Sequence, residues 1–156
     1  MPEKDLQVAK VSEEGKKNNS IRSASVCTLP AVQDNEWIFS KLEDILVDCN
    51  KKYYQMDIIG FYEAIQLIKY NPEDHYDWHM DFANKHHSNR KLSLSIQLTD
   101  PSEYEGGDLE FFKNGNGPKE QGTLILFPSF LYHKVHPITS GVRRALVGWI
   151  SGNPYR

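Results

Sequence analysis

A compact β-sandwich or barrel with helix packed on one side, mainly β and of the α+β class, is the fold this sequence predicts. From Met56 onward hydrophobicity alternates with a period of two in short runs, and one earlier stretch has the period of a helix. The third observation is length: 156 residues leave room for one domain with one core.

Taken in order, residues 1–20 read as a flexible polar tail, rich in Lys, Glu, Asn and Ser and poor in large apolar groups. Residues 21–156 read as the folded domain. SIRSASVCTL is expected as a first strand. QDNEWIFSKLEDILVDCNKKY is expected as a helix, capped by Asp34 or Asn35, with Ile38, Leu42, Ile45 and Cys49 on its apolar face. Lys51 and Lys52 suit its negative end. FYEAIQLIKY, HYDWHMDF, RKLSLSIQLT, GDLEFF, GTLILFP, YHKVHPI and VRRALVGWI then read as strands. The stretches between them (NPED, DPSEYEGG, KNGNGPKEQG, PSF, TSG) have the composition of turns.

RKLSLSIQLT places Leu92, Leu94, Ile96 and Leu98 on one face and Lys91, Ser93, Ser95, Gln97 and Thr99 on the other. The polar face is either a wet outer surface or the lining of a cavity that holds a polar ligand. The segment alone does not separate the two.

Composition excludes several classes. A net charge of −3, from 18 basic and 21 acidic side chains of mixed order, lacks the basic face of a nucleic-acid binder. No apolar run approaches the ~20 residues of a membrane span, and the first residues lack the apolar centre of a secretory signal. The sequence therefore reads as an intracellular, cytoplasmic protein with no membrane partner. Cys27 and Cys49 have neither zinc nor redox spacing and are expected as buried, reduced thiols.

His79-Met80-Asp81 lies in a segment that reads as extended, where residues i and i+2 point the same way, roughly 6.6 Å apart. An imidazole and a carboxylate so placed can converge on one ion, and His133, opening a later strand, can supply the third ligand. Two His and one carboxylate on one face of an iron leave positions open for reactants. A bare H-x-D is a weak signal. What strengthens it is Arg143, which follows His133 across a turn expected at Thr139-Ser140-Gly141, putting the two on neighbouring antiparallel strands and both facing inward. A buried arginine needs an anion, and its fork takes a carboxylate with two parallel hydrogen bonds. Metal and anchor together describe a receptor for a dicarboxylate keto acid. His75, His86 and His87 lie in turn-like or charged stretches and read as structural. His136 faces away from His133.

Several motifs now stand in order: Tyr70-x₅-Tyr76-x₂-His79-x-Asp81, Arg90-Lys91-Leu92-Ser93, Tyr104-Glu105-Gly106-Gly107-Asp108-Leu109 and Phe127-Pro128-Ser129. They are followed by His133-x-Val135-x-Pro137-Ile138-Thr139-x-Gly141-x-Arg143, and then Trp149. This series resembles the 2-oxoglutarate/Fe(II) dioxygenases of the prolyl 4-hydroxylase type, in particular their bacterial and phage hydroxylase-like members, from about Ile21 to Arg156.

The resemblance implies a double-stranded β-helix, or jelly roll, with His79, Asp81 and His133 as iron ligands and Arg143 as the anchor for 2-oxoglutarate. It implies that Tyr70 helps hold the cosubstrate, that Tyr76 and Trp149 line the substrate pocket, and that the Ser93, Ser95 and Gln97 face points into the cavity. The implied cofactors are Fe(II), 2-oxoglutarate and O₂, with ascorbate as an in vitro aid. The implied reaction is hydroxylation of a C–H bond on a peptide or protein side chain such as proline, or on a small molecule, with release of succinate and CO₂. A nucleic-acid dealkylase of the same superfamily and a non-catalytic ligand-binding jelly roll are the alternatives. Gly106-Gly107 is expected as a turn or bulge, Phe127-Pro128-Ser129 as a strand end, and Arg144 on the surface. The stretches from Phe82 to Asn89 and from Lys113 to Gln121 are expected as loops at the pocket mouth.

Overall fold

The computed structural model describes residues 7–8, 20–32, 34–83 and 87–154. The expected tail lies largely outside them. Within it, β1 (Gln7–Val8) pairs with Val26 and Ser25 at a sheet edge. The predicted first strand is broken at buried Ala24 into β2 (Arg22–Ser23) and β3 (Ser25–Leu29), which join different sheets.

The predicted helix is α1 (Glu36–Cys49), continued by one π-helical turn, Asn50–Tyr54, and ended by Gln55 at φ 51°. Asn35 sits at the N-cap, but its amide donates to the Pro30 carbonyl (3.0 Å) and makes no capping bond. The apolar face is turned from the expected one. Phe39, Leu42 and Leu46 are buried, whereas Ile45 is 47% exposed. Spacing from Leu42 admits either Ile45 or Leu46, and packing against Leu92, Leu94, Leu146 and Ile150 of the sheet selects Leu46.

Ten strands follow. They are β4 (Ile65–Tyr70), β5 (His75–His79), β6 (Arg90–Gln97), β7 (Tyr104–Gly106) and β8 (Leu109–Phe111), then β9 (Gly115–Asn116), β10 (Leu124–Pro128), β11 (His133–Val135), β12 (Ile138–Gly141) and β13 (Arg143–Ser151). Each segment read as a strand from Met56 onward contains one. The short β7, β9 and β12 fall chiefly in stretches read as turns, because a two- to four-residue pairing needs no long apolar run.

The strands pair antiparallel in a six-stranded sheet (β1-β3-β4-β13-β6-β10), a five-stranded sheet (β2-β5-β11-β8-β9) and a ribbon (β12-β7). From β5 to β13 the chain passes back and forth between the two large sheets, with β8 and β9 a hairpin in one of them and β7 and β12 forming the ribbon, which is jelly-roll winding. One apolar cluster fills the space between the sheets, around Ile68, Leu109, Phe127 and Ile138. A second lies between the six-stranded sheet and α1.

This winding corrects one expectation. β11 and β13 are not neighbours; they belong to opposite sheets, and Thr139-Ser140-Gly141 is part of β12, paired with β7, rather than a hairpin turn. His133 and Arg143 still face each other's side of the interior, because the two sheets are stacked face to face. β6 lies between β13 and the edge strand β10. Its Leu92 and Leu94 are 0% and 1% exposed under α1, and Ser93, Ser95 and Gln97 are buried on the opposite face, so the wet-surface reading of that face is excluded.

Candidate active site

A cavity of about 340 Å³ opens between the two sheets. Tyr70, Tyr76, His79, Asp81, His133, Arg143 and Trp149, the site residues expected from the sequence, all line it. Arg22, Glu63, Gln66 and Arg90 line it too, and no role was read for them from the sequence.

His79 and His133 stand directly opposite each other on β5 and β11. β5 ends at His79, so Asp81 lies just past the strand rather than within it. There it is tied down by the chain: the amides of Asp81 and Phe82 both donate to the Ser129 carbonyl, at 3.0 and 2.9 Å. Phe127-Pro128-Ser129 ends β10, as expected, and this end positions the acid. The Ser129 hydroxyl, fully buried, also bonds the Ser93 hydroxyl at 3.0 Å.

Each imidazole has its Nδ1 against a backbone carbonyl, Asp77 O for His79 (2.7 Å) and Leu131 O for His133 (2.8 Å). A carbonyl can only accept, so both Nδ1 atoms carry the proton and both Nε2 atoms present a lone pair. Each Nε2 is 3.7 Å from one oxygen of Asp81. The three donor atoms lie within 4.8 Å of one another. Burial, and then the neighbouring His133, push the His79 pKa down to about 4. Burial opposes ionisation of Asp81, but His133 and His79, with Ser93 and Arg90 behind them, hold its carboxyl below the usual range. Two neutral imidazoles and one carboxylate are the protonation state a divalent metal requires. The donor set fits iron(II).

A bulge explains a placement the sequence hides. Between His79 and Tyr76, β5 runs one residue longer than β11 between His133 and Val135. Tyr76 and His79 therefore share a face, their rings stacked at 3.5 Å and 11°. The displaced Trp78 packs outside, against Tyr132 and Phe112. Tyr76 is half-buried, and the loss of water around its phenol pushes it up to about 12.

Arg143 is 2% exposed at the start of β13. Its Nη2 donates to Gln97 Oε1 at 3.0 Å, and its guanidinium lies 5.4 Å from the Tyr70 ring. Among the described residues no carboxylate pairs with it. Gly107, at φ 62°, leaves room for it: a Cβ there would stand 2.3 Å from Ile138 Cδ1 and 3.1 Å from Arg143 Cδ. The expected turn at Gly106-Gly107 thus also clears space for Arg143. Arg144 is exposed, as expected.

Arg90 contrasts with it. Its Nε donates to Glu63 Oε1 (2.6 Å) and its Nη2 to Glu63 Oε2, and its Nη1 reaches the Asp81 carbonyl at 3.2 Å. Its guanidinium lies 3.8 Å from the centre of the Trp149 ring. Trp149 therefore supports the residue that holds the Asp81 loop.

The remaining histidines and loops are accounted for in part. His136 faces away and bonds Glu110 at 2.6 Å; His75 meets the carbonyls of Glu73 and Ser20; His86 lies outside the described residues. His87 and Ala83 line the cavity, so the first expected mouth loop does reach it. The second does not. None of Lys113 to Gln121 lines the cavity, and Lys119 instead donates to the Gly106 carbonyl at 2.7 Å. Cys27 is buried and Cys49 half-buried, and both are free thiols. Among the described residues no helix is long and apolar enough to cross a membrane.

The sequence profile of the 2OG-Fe(II) oxygenase superfamily matches residues 65–151, which include the three metal-competent residues and Arg143. The chain is 47% identical over 91 residues to a PKHD-type hydroxylase of Synechococcus sp. (strain CC9902). That match covers 56% of this chain and 40% of the relative, so the chain spans less than half the length of the curated protein it matches. Among solved structures, a Pseudomonas putida prolyl-4-hydroxylase superposes with a TM-score of 0.75 at 19% identity, over 96% of this chain and 79% of that one. A prolyl hydroxylase from Trichoplax adhaerens, in complex with a peptide fragment of the hypoxia inducible factor oxygen degradation domain, gives 0.78 at 18%, over 95% and 71%. At such identities the shared feature is the jelly-roll fold.

Proposed function

The chain belongs to the 2OG-Fe(II) oxygenase superfamily, and on that premise we propose that it is an iron(II)- and 2-oxoglutarate-dependent dioxygenase that hydroxylates a C–H bond on a peptide or protein side chain, proline first. The observation that carries the reading is Arg143. It is a buried cation, without an acid among the described residues, in the same cavity as a metal-competent His-Asp-His set. A diacid that chelates a metal at one end and needs a counter-charge at the other answers both.

In this reading His79, Asp81 and His133 hold the iron, and the carbonyls of Asp77 and Leu131 keep the imidazoles in the ligating tautomer. Arg143, steadied by Gln97, takes the distal carboxylate of the cosubstrate, and Tyr70 lies beside that end. Tyr76 and Trp149 wall the space left for the substrate. When bound, iron(II) with 2-oxoglutarate and O₂ supplies the oxidising power for hydroxylation, with release of succinate and CO₂. The protein's own part is to fix these groups in place and keep the site enclosed. Hydroxylation is supported by the hydroxylase relative, and a peptide substrate by the peptide held by the Trichoplax protein.

The test is succinate release from 2-oxoglutarate with iron(II) and ascorbate, followed by mass spectrometry for a +16 Da product on proline-containing peptides. Absence of both succinate and 2-oxoglutarate binding in the metal-loaded protein rejects the reading.

A further inference from the structure

Arg22 is a second buried arginine of the cavity without an acid beside it among the described residues. It is 8% exposed, on the edge strand β2, and it lines the same space as His79, Asp81 and Arg143. Its Nε is fully buried with no hydrogen-bond partner among the described residues, and no carboxylate among them pairs with the guanidinium. What it does touch is a neutral ring: the guanidinium carbon lies 4.6 Å from the centre of Tyr76. Tyr76 is not a counter-ion, since a phenol carries no charge at neutral pH.

A cation over an aromatic ring gains a weak attraction. Removing a charge from water costs more than that. The ring does not offset that cost, so Arg22, like Arg143, awaits an anion. 2-Oxoglutarate does not supply it: one of its carboxylates goes to the metal and the other to Arg143. Position indicates which molecule does. Arg22 stacks on Tyr76 at 4.6 Å, and Tyr76 stacks on His79 at 3.5 Å, so two ring contacts separate the guanidinium from a metal-ligating imidazole.

We propose that Arg22 anchors a carboxylate of the primary substrate, and that the molecule hydroxylated is acidic next to the C–H bond that reacts. In a peptide that carboxylate is either the chain terminus or an adjacent Asp or Glu side chain. This rests on the dioxygenase reading and specifies its substrate.

The experiment uses the full chain loaded with Mn(II) and 2-oxoglutarate and measures binding by calorimetry. The probes are two isosteric pairs: N-acetyl-L-proline against N-acetyl-L-prolinamide for a terminal carboxylate, and N-acetyl-Pro-Asp-amide against N-acetyl-Pro-Asn-amide for a side chain. A hydrogen-bonded charge pair predicts that the acid of one pair binds about 10- to 100-fold more tightly than its neutral partner. Which pair shows it identifies the source. In Arg22→Gln the preference should vanish while 2-oxoglutarate affinity is kept, and Arg22→Lys should restore part of it. Equal binding of acid and amide in both pairs, or no binding of any probe, overturns the proposal without any variant having to fold. A preference that survives in Arg22→Gln, or a parallel fall in 2-oxoglutarate affinity, also overturns it. Failure of 2-oxoglutarate itself to bind the metal-loaded wild type is a different result and counts against the dioxygenase reading.

Discussion

Arg90 and Arg143 are buried to a similar depth, at 7% and 2% exposed, and both face one cavity from paired strands. Arg90 has two bonds to Glu63, one to the Asp81 carbonyl and the face of Trp149. Arg143 has one bond to the neutral amide of Gln97. The first charge is neutralised within the fold, so it serves as structure. The second is left without a counter-charge among the described residues, which suits it to receive an anion. Burial alone does not distinguish the two roles; the accounting of partners does.

The largest expected effect breaks the structural arginine. Arg90→Met strands Glu63 and frees the Asp81 loop, and it should lower stability by about 3 kcal/mol, the low end of the cost of breaking a buried pair because Glu63 keeps some contact with water. Chemical denaturation measures it. Adding Glu63→Gln should recover part of the loss, which a purely steric defect would not show. Arg143→Met should behave oppositely. No internal counter-ion is stranded, only the Gln97 amide oxygen, so the thermal midpoint should change little, while 2-oxoglutarate binding weakens by about 2–5 kcal/mol, at least some thirtyfold. Titration of the Mn(II)-loaded protein decides. If Arg143→Met left cosubstrate affinity unchanged, the contrast between the two arginines would fail.

A third effect concerns the group between them. The His79 pKa is depressed from 6.5 to about 4, so below pH 6.5 the unfolded chain binds a proton that the folded apo-protein refuses. Stability should therefore fall as pH drops from 6.5 toward 4, by roughly 3 kcal/mol from this group. Asp81, also depressed, extends the loss to lower pH. Denaturation at a series of pH values, with His79→Gln as the comparison, isolates the imidazole. An identical slope in that variant would show that His79 is not buried as a neutral group.

Both the alternation of β6 and the closeness of His79 to Asp81 were legible in the sequence, because each depends on local spacing: every second residue of RKLSLSIQLT, and an i, i+2 pair. What was not legible depends on long-range partners. Nothing near Arg90 announces Glu63, which comes before β4. The extra residue in β5 that stacks Tyr76 on His79 leaves no compositional mark. Turn chemistry at Thr139-Ser140-Gly141 pointed to a hairpin, whereas the jelly-roll winding carries that segment to β7. Reading SIRSASVCTL as one strand hid the corner at Ala24, and with it the turn of Arg22 into the cavity. The helix stripe moved from Ile45 to Leu46 for the same reason: the sequence permits both, and the sheet chooses.

The smallest expected effect tests how far the matched half of the site extends beyond Arg90. Ser93 and Ser129 join β6 to the end of β10 through their hydroxyls, and the Ser129 carbonyl receives the Asp81 and Phe82 amides. Ser93→Ala removes one hydroxyl and leaves the other buried, which should cost about 1 kcal/mol of stability. Its more specific consequence is on the metal, because the Ser93 hydroxyl favours the charged form of Asp81. Outer-sphere losses of this kind lower metal affinity about tenfold, and Mn(II) titration at fixed pH should show it, with 2-oxoglutarate affinity per metal-loaded site unchanged. A loss confined to stability would mean that Ser93 only joins two strands, and that the support of Asp81 stops at Arg90 and the Ser129 backbone.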